Sequence, residues 1–123
     1  MSVIQGLTKA IIYVKDIDTQ TDFYQNKLGL AIKSRLSIPG RIDKQWVEFT
    51  TGECTFVLHG NVENAGADRP TLLAFHVDDV ELAYQELTER GVTFSPIRSP
   101  SPGLKVAAGV DPEGNPFTID CQK

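Results

Sequence analysis

KAIIYVKDIDTQTDFYQNKLGL, residues 9–30, decides the fold because the chain writes it a second time as LLAFHVDDVELAYQELTERGV, residues 72–92. Each stretch opens as an apolar, strand-like run. Each then passes through Val-x-Asp and an aliphatic residue into a helical pattern that stops at Gly and another aliphatic residue. Superposition pairs Val14 with Val77, Asp16 with Asp79 and Ile17 with Val80. One residue of slip inside the helix then pairs Gly29 with Gly91 and Leu30 with Val92. The period is half the chain, too long for a solenoid and right for two copies of one supersecondary unit.

Working outward, Asp18 or Thr19 is placed to cap the first helix, and Gly29 stands where a left-handed residue ends one. Asp16 and Asp79 are expected to close the strand-to-helix turns through their side-chain oxygens. Phe23 and Tyr24 should pack the inner face of the first helix, and Val80, Ala83, Tyr84 and Leu87 that of the second. After its helix the first half continues with a strand LAIKSRL, a loop SIPGRIDK, a strand QWVEFT, the turn TGE and a strand CTFVLHG. The second continues with VTFSPI, a loop RSPSPG, LKVAAGV, the turn DPEGN and PFTIDCQ. Each half is therefore a βαβββ module, the first over residues 1–60 and the second over 71–123. The polar, Gly- and Asn-rich residues 60–70 are the linker of a single domain, 1–123. One module of this size leaves a sheet face uncovered, and two can enclose it.

Composition excludes several functions. The 123 residues carry a formal charge of −4, so there is no basic footprint and nucleic acid is not an expected partner. No apolar run approaches the roughly 20 residues that span a bilayer. The N-terminus has neither the basic start nor the long apolar run of a signal peptide, so a cytoplasmic location and no membrane are expected. Cys54 and Cys121 are too few for a disulfide framework and read as free thiols.

Val-x-Asp-aliphatic, FYQNKLGL, WVEFTTG with FVLH, HVDDVELAYQELTERGV and the late DPEGNPF together resemble the vicinal oxygen chelate superfamily. That group includes glyoxalase I, bleomycin-resistance proteins and extradiol dioxygenases. The resemblance runs over nearly the whole chain. It implies an α+β fold, two βαβββ modules forming a cup-shaped eight-stranded sheet with the helices outside. It further implies a homodimer, and a ligand in the cup that is often held by a divalent metal. Carried across by distance from the matching motifs, the family's four metal-ligand positions fall on Lys9, Val57, Leu72 and Thr118. None is a usual ligand, since a protonated Lys repels a cation and Val and Leu offer no lone pair. No metal and no cofactor is therefore expected. A displaced set of Glu48, His59 and His76 would be the one alternative, two His and a carboxylate.

Strand alternation assigns the lining of the cup. A tight turn at Gly52 and Glu53 pairs Phe49 with Phe56 and Val47 with Leu58, an apolar set that should face the helices. Trp46, Glu48, Thr50, Thr55, Val57 and His59 then face the ligand. In the second module Leu72, Ala74 and His76 line the cup, and Leu73, Phe75 and Val77 are core. The last hairpin is expected to turn Val106, Ala108, Val110, Phe117 and Ile119 inward. Lys105, Ala107, Gly109, Thr118 and Asp120 are left on the ligand side. The candidate ligand-binding residues are Tyr13, Trp46, Glu48, His59, Lys9 and His76. Tyr13 and Trp46 supply stacking surfaces, and Glu48 orients His59. The function this suggests is metal-independent binding of a small organic molecule. The alternative is a glyoxalase-like lyase, isomerase or dioxygenase, metal-free with Glu48 or His59 as base or using the displaced metal site. A third reading, an interaction module with a vestigial cup, is opposed by the small Ala74, Ala107 and Gly109.

Overall fold

The computed structural model describes residues 9–38, 41–60 and 72–122. The chain divides into two compact units, Met1–Ala67 and Asp68–Lys123. The expected linker after Gly60 and the residue 39–40 loop lie outside the described residues.

In the first unit, strand β1 (Lys9–Tyr13) leads into helix α1 (Ile17–Asp22), which continues as a π-helical turn over Phe23–Lys27. Strands β2 (Ala31–Ile38), β3 (Arg41–Thr50) and β4 (Thr55–Gly60) follow, and the sheet order is β1-β4-β3-β2. The cap of α1 is Asp16, not Asp18 or Thr19. Its carboxylate accepts the Thr19 amide at 3.2 Å and the Thr19 hydroxyl at 2.8 Å, which holds the acid below the usual carboxylate pKa. Asp18 instead meets Arg35 at 2.6 Å. Thirteen positions separate Asp16 from Gly29 and twelve separate Asp79 from Gly91. The π turn absorbs the extra residue: the Leu28 amide reaches back five positions to the Phe23 carbonyl at 3.0 Å. Both helices can then end on a left-handed glycine, with φ 81° at Gly29 and 93° at Gly91.

The first core is the helix-facing set of alternating residues. Ile12, Val14, Val47, Phe49, Phe56 and Leu58 are all buried, and Tyr24 lies edge-on to Phe56 at 4.8 Å. Gly60 closes β4 against α1. A Cβ there would stand 2.5 Å from the Cβ of Ile17, so only glycine allows this approach. The hairpin register agrees with the reading of TGE, with Val47 opposite Leu58 and Phe49 opposite Phe56. The loop expected over SIPGRIDK is shorter than its sequence suggested, because β2 and β3 extend toward residues 39–40.

The second unit repeats the plan with β5 (Leu73–His76), α2 (Val80–Glu89), β6 (Arg98–Ser101), β7 (Leu104–Val110) and β8 (Pro116–Gln122), ordered β5-β8-β7-β6. Asp79 caps α2 by accepting the Leu82 amide at 3.1 Å. Two expectations fail here. VTFSPI is not a strand; only Phe94 bridges Gly109, and the edge strand is formed by RSPS instead. Proline is tolerated there because an edge strand needs only one side of its backbone paired.

The second failure concerns which side chains face the helix. Asp111 fixes DPEGN as a five-residue loop, accepting the Glu113 and Asn115 amides at 2.9 Å each. An odd loop pairs Ala107 with Ile119 and Gly109 with Phe117, one residue away from the expected register. A one-residue slip exchanges the two faces of a strand. Ala107 and Gly109 therefore belong to the core, where a Gly109 Cβ would lie 3.0 Å from the Phe117 ring. Lys105 sits on the helix side, paired with Glu81 of α2, and Val106, Ala108 and Val110 share the other face with Thr118 and Asp120.

Candidate functional site

The helix-free face of the first sheet is a grid whose rows are set by strand register. One row runs Tyr13, His59, Trp46 and Leu36 across β1, β4, β3 and β2. The next runs Ile11, Val57, Glu48 and Ser34, and the third Lys9, Thr55 and Thr50. Five of the six candidate residues thus share one face. His76 belongs to the second unit, where it is exposed on β5 and meets Asp78 at 3.2 Å.

The first row is aromatic. Ring centroids of Tyr13 and His59 lie 4.9 Å apart, and those of Trp46 and His59 lie 5.9 Å apart in an edge-on arrangement. Tyr13 remains 46% exposed and Leu36 58% exposed, so the row presents apolar surface to solvent. A half-exposed aromatic row with polar neighbours is the composition that small-molecule sites favour.

Glu48 is not the partner of His59 that strand geometry suggested. Its Oε2 accepts the Trp46 indole N–H at 2.9 Å, and its Oε1 accepts the Ser34 hydroxyl at 3.2 Å. Trp46 and Glu48 are two positions apart on one strand face, and the indole is long enough to bridge them. Ser34 arrives through a bulge between Ile32 and Ser34, which nothing in the local sequence announced. These contacts lower the carboxyl pKa, the Trp46 hydrogen bond most of all, with Ser34 and the charges of Lys33 and Lys9 acting the same way against desolvation. The folded-state value is thus depressed. Glu48 contributes its stabilisation fully above the unfolded value of about 4.3 and loses it as pH falls through the folded value. Emission from Trp46, the chain's single tryptophan, should accordingly titrate with a midpoint below the ordinary carboxylate value, and the Glu48→Gln variant should lack that transition.

His59 Nδ1 is buried and has no hydrogen-bond partner, which leaves Nε2 as the ring atom able to meet a ligand. Among the described residues, no three His, Cys, Asp or Glu side chains gather as a metal would require. The family's four ligand positions do not fit a divalent ion either. Val57 is fully buried, Leu72 is 57% exposed, and Thr118 and Lys9 bring a hydroxyl and a cation. A cavity of about 270 Å³ lies elsewhere, in the second unit beside the start of α2, between Asp78, Glu81, Ser99, Lys105 and Cys121. Sequence reading gave no sign of it. Cys54 and Cys121 are both free, and no described helix is long and apolar enough to cross a membrane.

These two βαβββ units place the chain in a class that comparison with known proteins defines. A family model, the Glyoxalase/Bleomycin resistance protein/Dioxygenase superfamily, matches residues 6–119, and the chain belongs to that superfamily. No curated protein matches it in sequence. Among solved structures it is similar to SMU.1112c, with 26% identity, 96% of this chain and 99% of that one covered, and a TM-score of 0.84. It is also similar to TnmS3, an antibiotic binding protein from Streptomyces sp. CB03234, with 22% identity, full coverage of both chains and a TM-score of 0.81. A lactoylglutathione lyase from Agrobacterium tumefaciens has the same fold, at 20% identity, 97% and 95% coverage and a TM-score of 0.74.

Proposed function

We propose that the protein binds a small, planar organic molecule on the helix-free face of its first sheet, without a metal. The observation that carries this reading is the exposed Tyr13–His59–Trp46 row beside an ionised, prearranged carboxylate. Trp46 and Tyr13 stack on the ligand, His59 Nε2 offers one polar contact, and Glu48 accepts hydrogen bonds from it. The likeness to an antibiotic binding protein supports the same ligand class, and so does the poor fit of Lys9, Val57, Leu72 and Thr118 to a metal. A homodimer belongs to this reading, as the family resemblance implies.

The competing enzyme would use Glu48 or His59 as a base. A carboxyl held below its ordinary pKa is a weak proton acceptor near neutrality, where a catalytic base should be poised. Among the described residues, His59 Nδ1 has no hydrogen-bond partner to orient the ring. Both facts favour binding over turnover. Glu48→Gln separates the two: a binding protein should keep its affinity for a planar ligand within about tenfold, the size of one charged hydrogen bond. An enzyme relying on this base should lose turnover by a factor of about 10² or more while still binding substrate.

A further inference from the structure

The grid that carries the aromatic row is polarised along its strands. Tyr13 and Lys9 stand at opposite ends of β1, four residues or about 13 Å apart. Beside Lys9, at the same end, the bulge in β2 sends Lys33 across β3, and its Nζ donates to the Thr55 hydroxyl at 3.5 Å. Thr55 is the register partner of Lys9, so the two cations converge on one row. The charges of both act on Glu48. Lys9 and Lys33 thus bring two cations to the Thr55 row, within electrostatic reach of the Glu48 carboxylate, although the chain as a whole is at −4.

On the basis of the planar-ligand reading above, we propose that this face selects an elongated aromatic anion. Its ring lies over Tyr13, His59 and Trp46, and its carboxylate, sulfonate or phosphate reaches Lys9 and Lys33. The separation of the rows sets the length: a ring system carrying its anion on a short tether spans them, and an anion fused directly to a single ring does not. Glu48, between the rows, repels an anion placed close to the ring and so favours the tethered form. The arrangement also ranks ligands of one shape by charge, with anions above neutral molecules and cations last.

Pyrenebutyrate and pyrenebutanol share the ring and the tether and differ in charge, so titrating each into the metal-free protein tests the inference. The acid should bind about tenfold tighter than the alcohol, the order expected of one or two partly exposed charge contacts. The Lys9→Met, Lys33→Met double variant should abolish that difference and melt like the wild type. Pyrenebutylamine, which has a tether of the same length and a positive charge, should bind more weakly than the alcohol. Equal affinity for acid and alcohol, or a preference that survives in the double variant, would overturn the anion selectivity while leaving the planar-ligand reading intact. If neither probe perturbs Trp46 emission, both readings fall together.

Discussion

Phe49→Ala should lower the unfolding free energy by about 3–5 kcal/mol, the range for emptying a well-packed aromatic site. Phe49 is fully buried and lies stacked on Phe56, with centroids 5.7 Å apart, and Tyr24 closes the cluster from the helix at 6.2 Å. Removing the ring opens a gap beside both Tyr24 and Phe56. Neither can collapse into the space, because β3, β4 and the helix are fixed by their own hydrogen bonds. Against a total stability of roughly 5–15 kcal/mol, such a loss is a large fraction of the whole. Urea unfolding measures it as a fall in midpoint with little change in slope. A loss under about 1 kcal/mol would mean that this set of residues does not face the helix.

The second large effect is on binding. Trp46→Ala should weaken a planar ligand by about 30-fold, or about 2 kcal/mol, as expected when a tryptophan anchor is removed. Two losses combine. The stacking surface beside His59 disappears, and Glu48 loses the indole N–H that contributes most to lowering its pKa. The carboxyl then moves back toward its ordinary value. Because the variant has no tryptophan, calorimetry is the appropriate readout. Trp46→Phe should recover part of the affinity through its ring and none of the hydrogen bond. An unchanged affinity in Trp46→Ala would place the ligand elsewhere, with the cavity beside α2 the next site to examine.

Much of the fold was legible because the sequence states it twice. Asp16 and Asp79, the two stop glycines and the apolar strand runs identify each other across the halves. The slip of one residue between the two helices was also visible, though not that a π turn would take it up. Face assignment succeeded or failed with loop parity. Around Gly52 and Glu53 the register is the one a two-residue turn implies, and Trp46, Glu48 and His59 fall on the expected face. Around DPEGN the loop holds five residues, and the faces of Lys105, Ala107 and Gly109 come out reversed. The side chain of Asp111 holds that loop by accepting from Glu113 and Asn115, local hydrogen bonds that a strand pattern does not carry.

Gly109 leaves room for the Phe117 and Phe94 rings rather than for a ligand, Ala107 is buried in the same core, and Ala74 and Ala108 stand on the helix-free face. The candidate site was legible as a list of residues and not as a set of bonds. Alternation placed Trp46, Glu48 and His59 together. It could not foresee the bulge that brings in Ser34 and Lys33, and without them Glu48 looked free to orient His59.

The most direct test of the account follows Trp46 emission while a planar aromatic probe is titrated into chelator-treated protein, then repeats the titration with Ni, Zn, Mn or Fe(II) added. Metal-independent binding predicts a saturable change with the same midpoint in every sample. Binding that appears only when a metal is restored would contradict it.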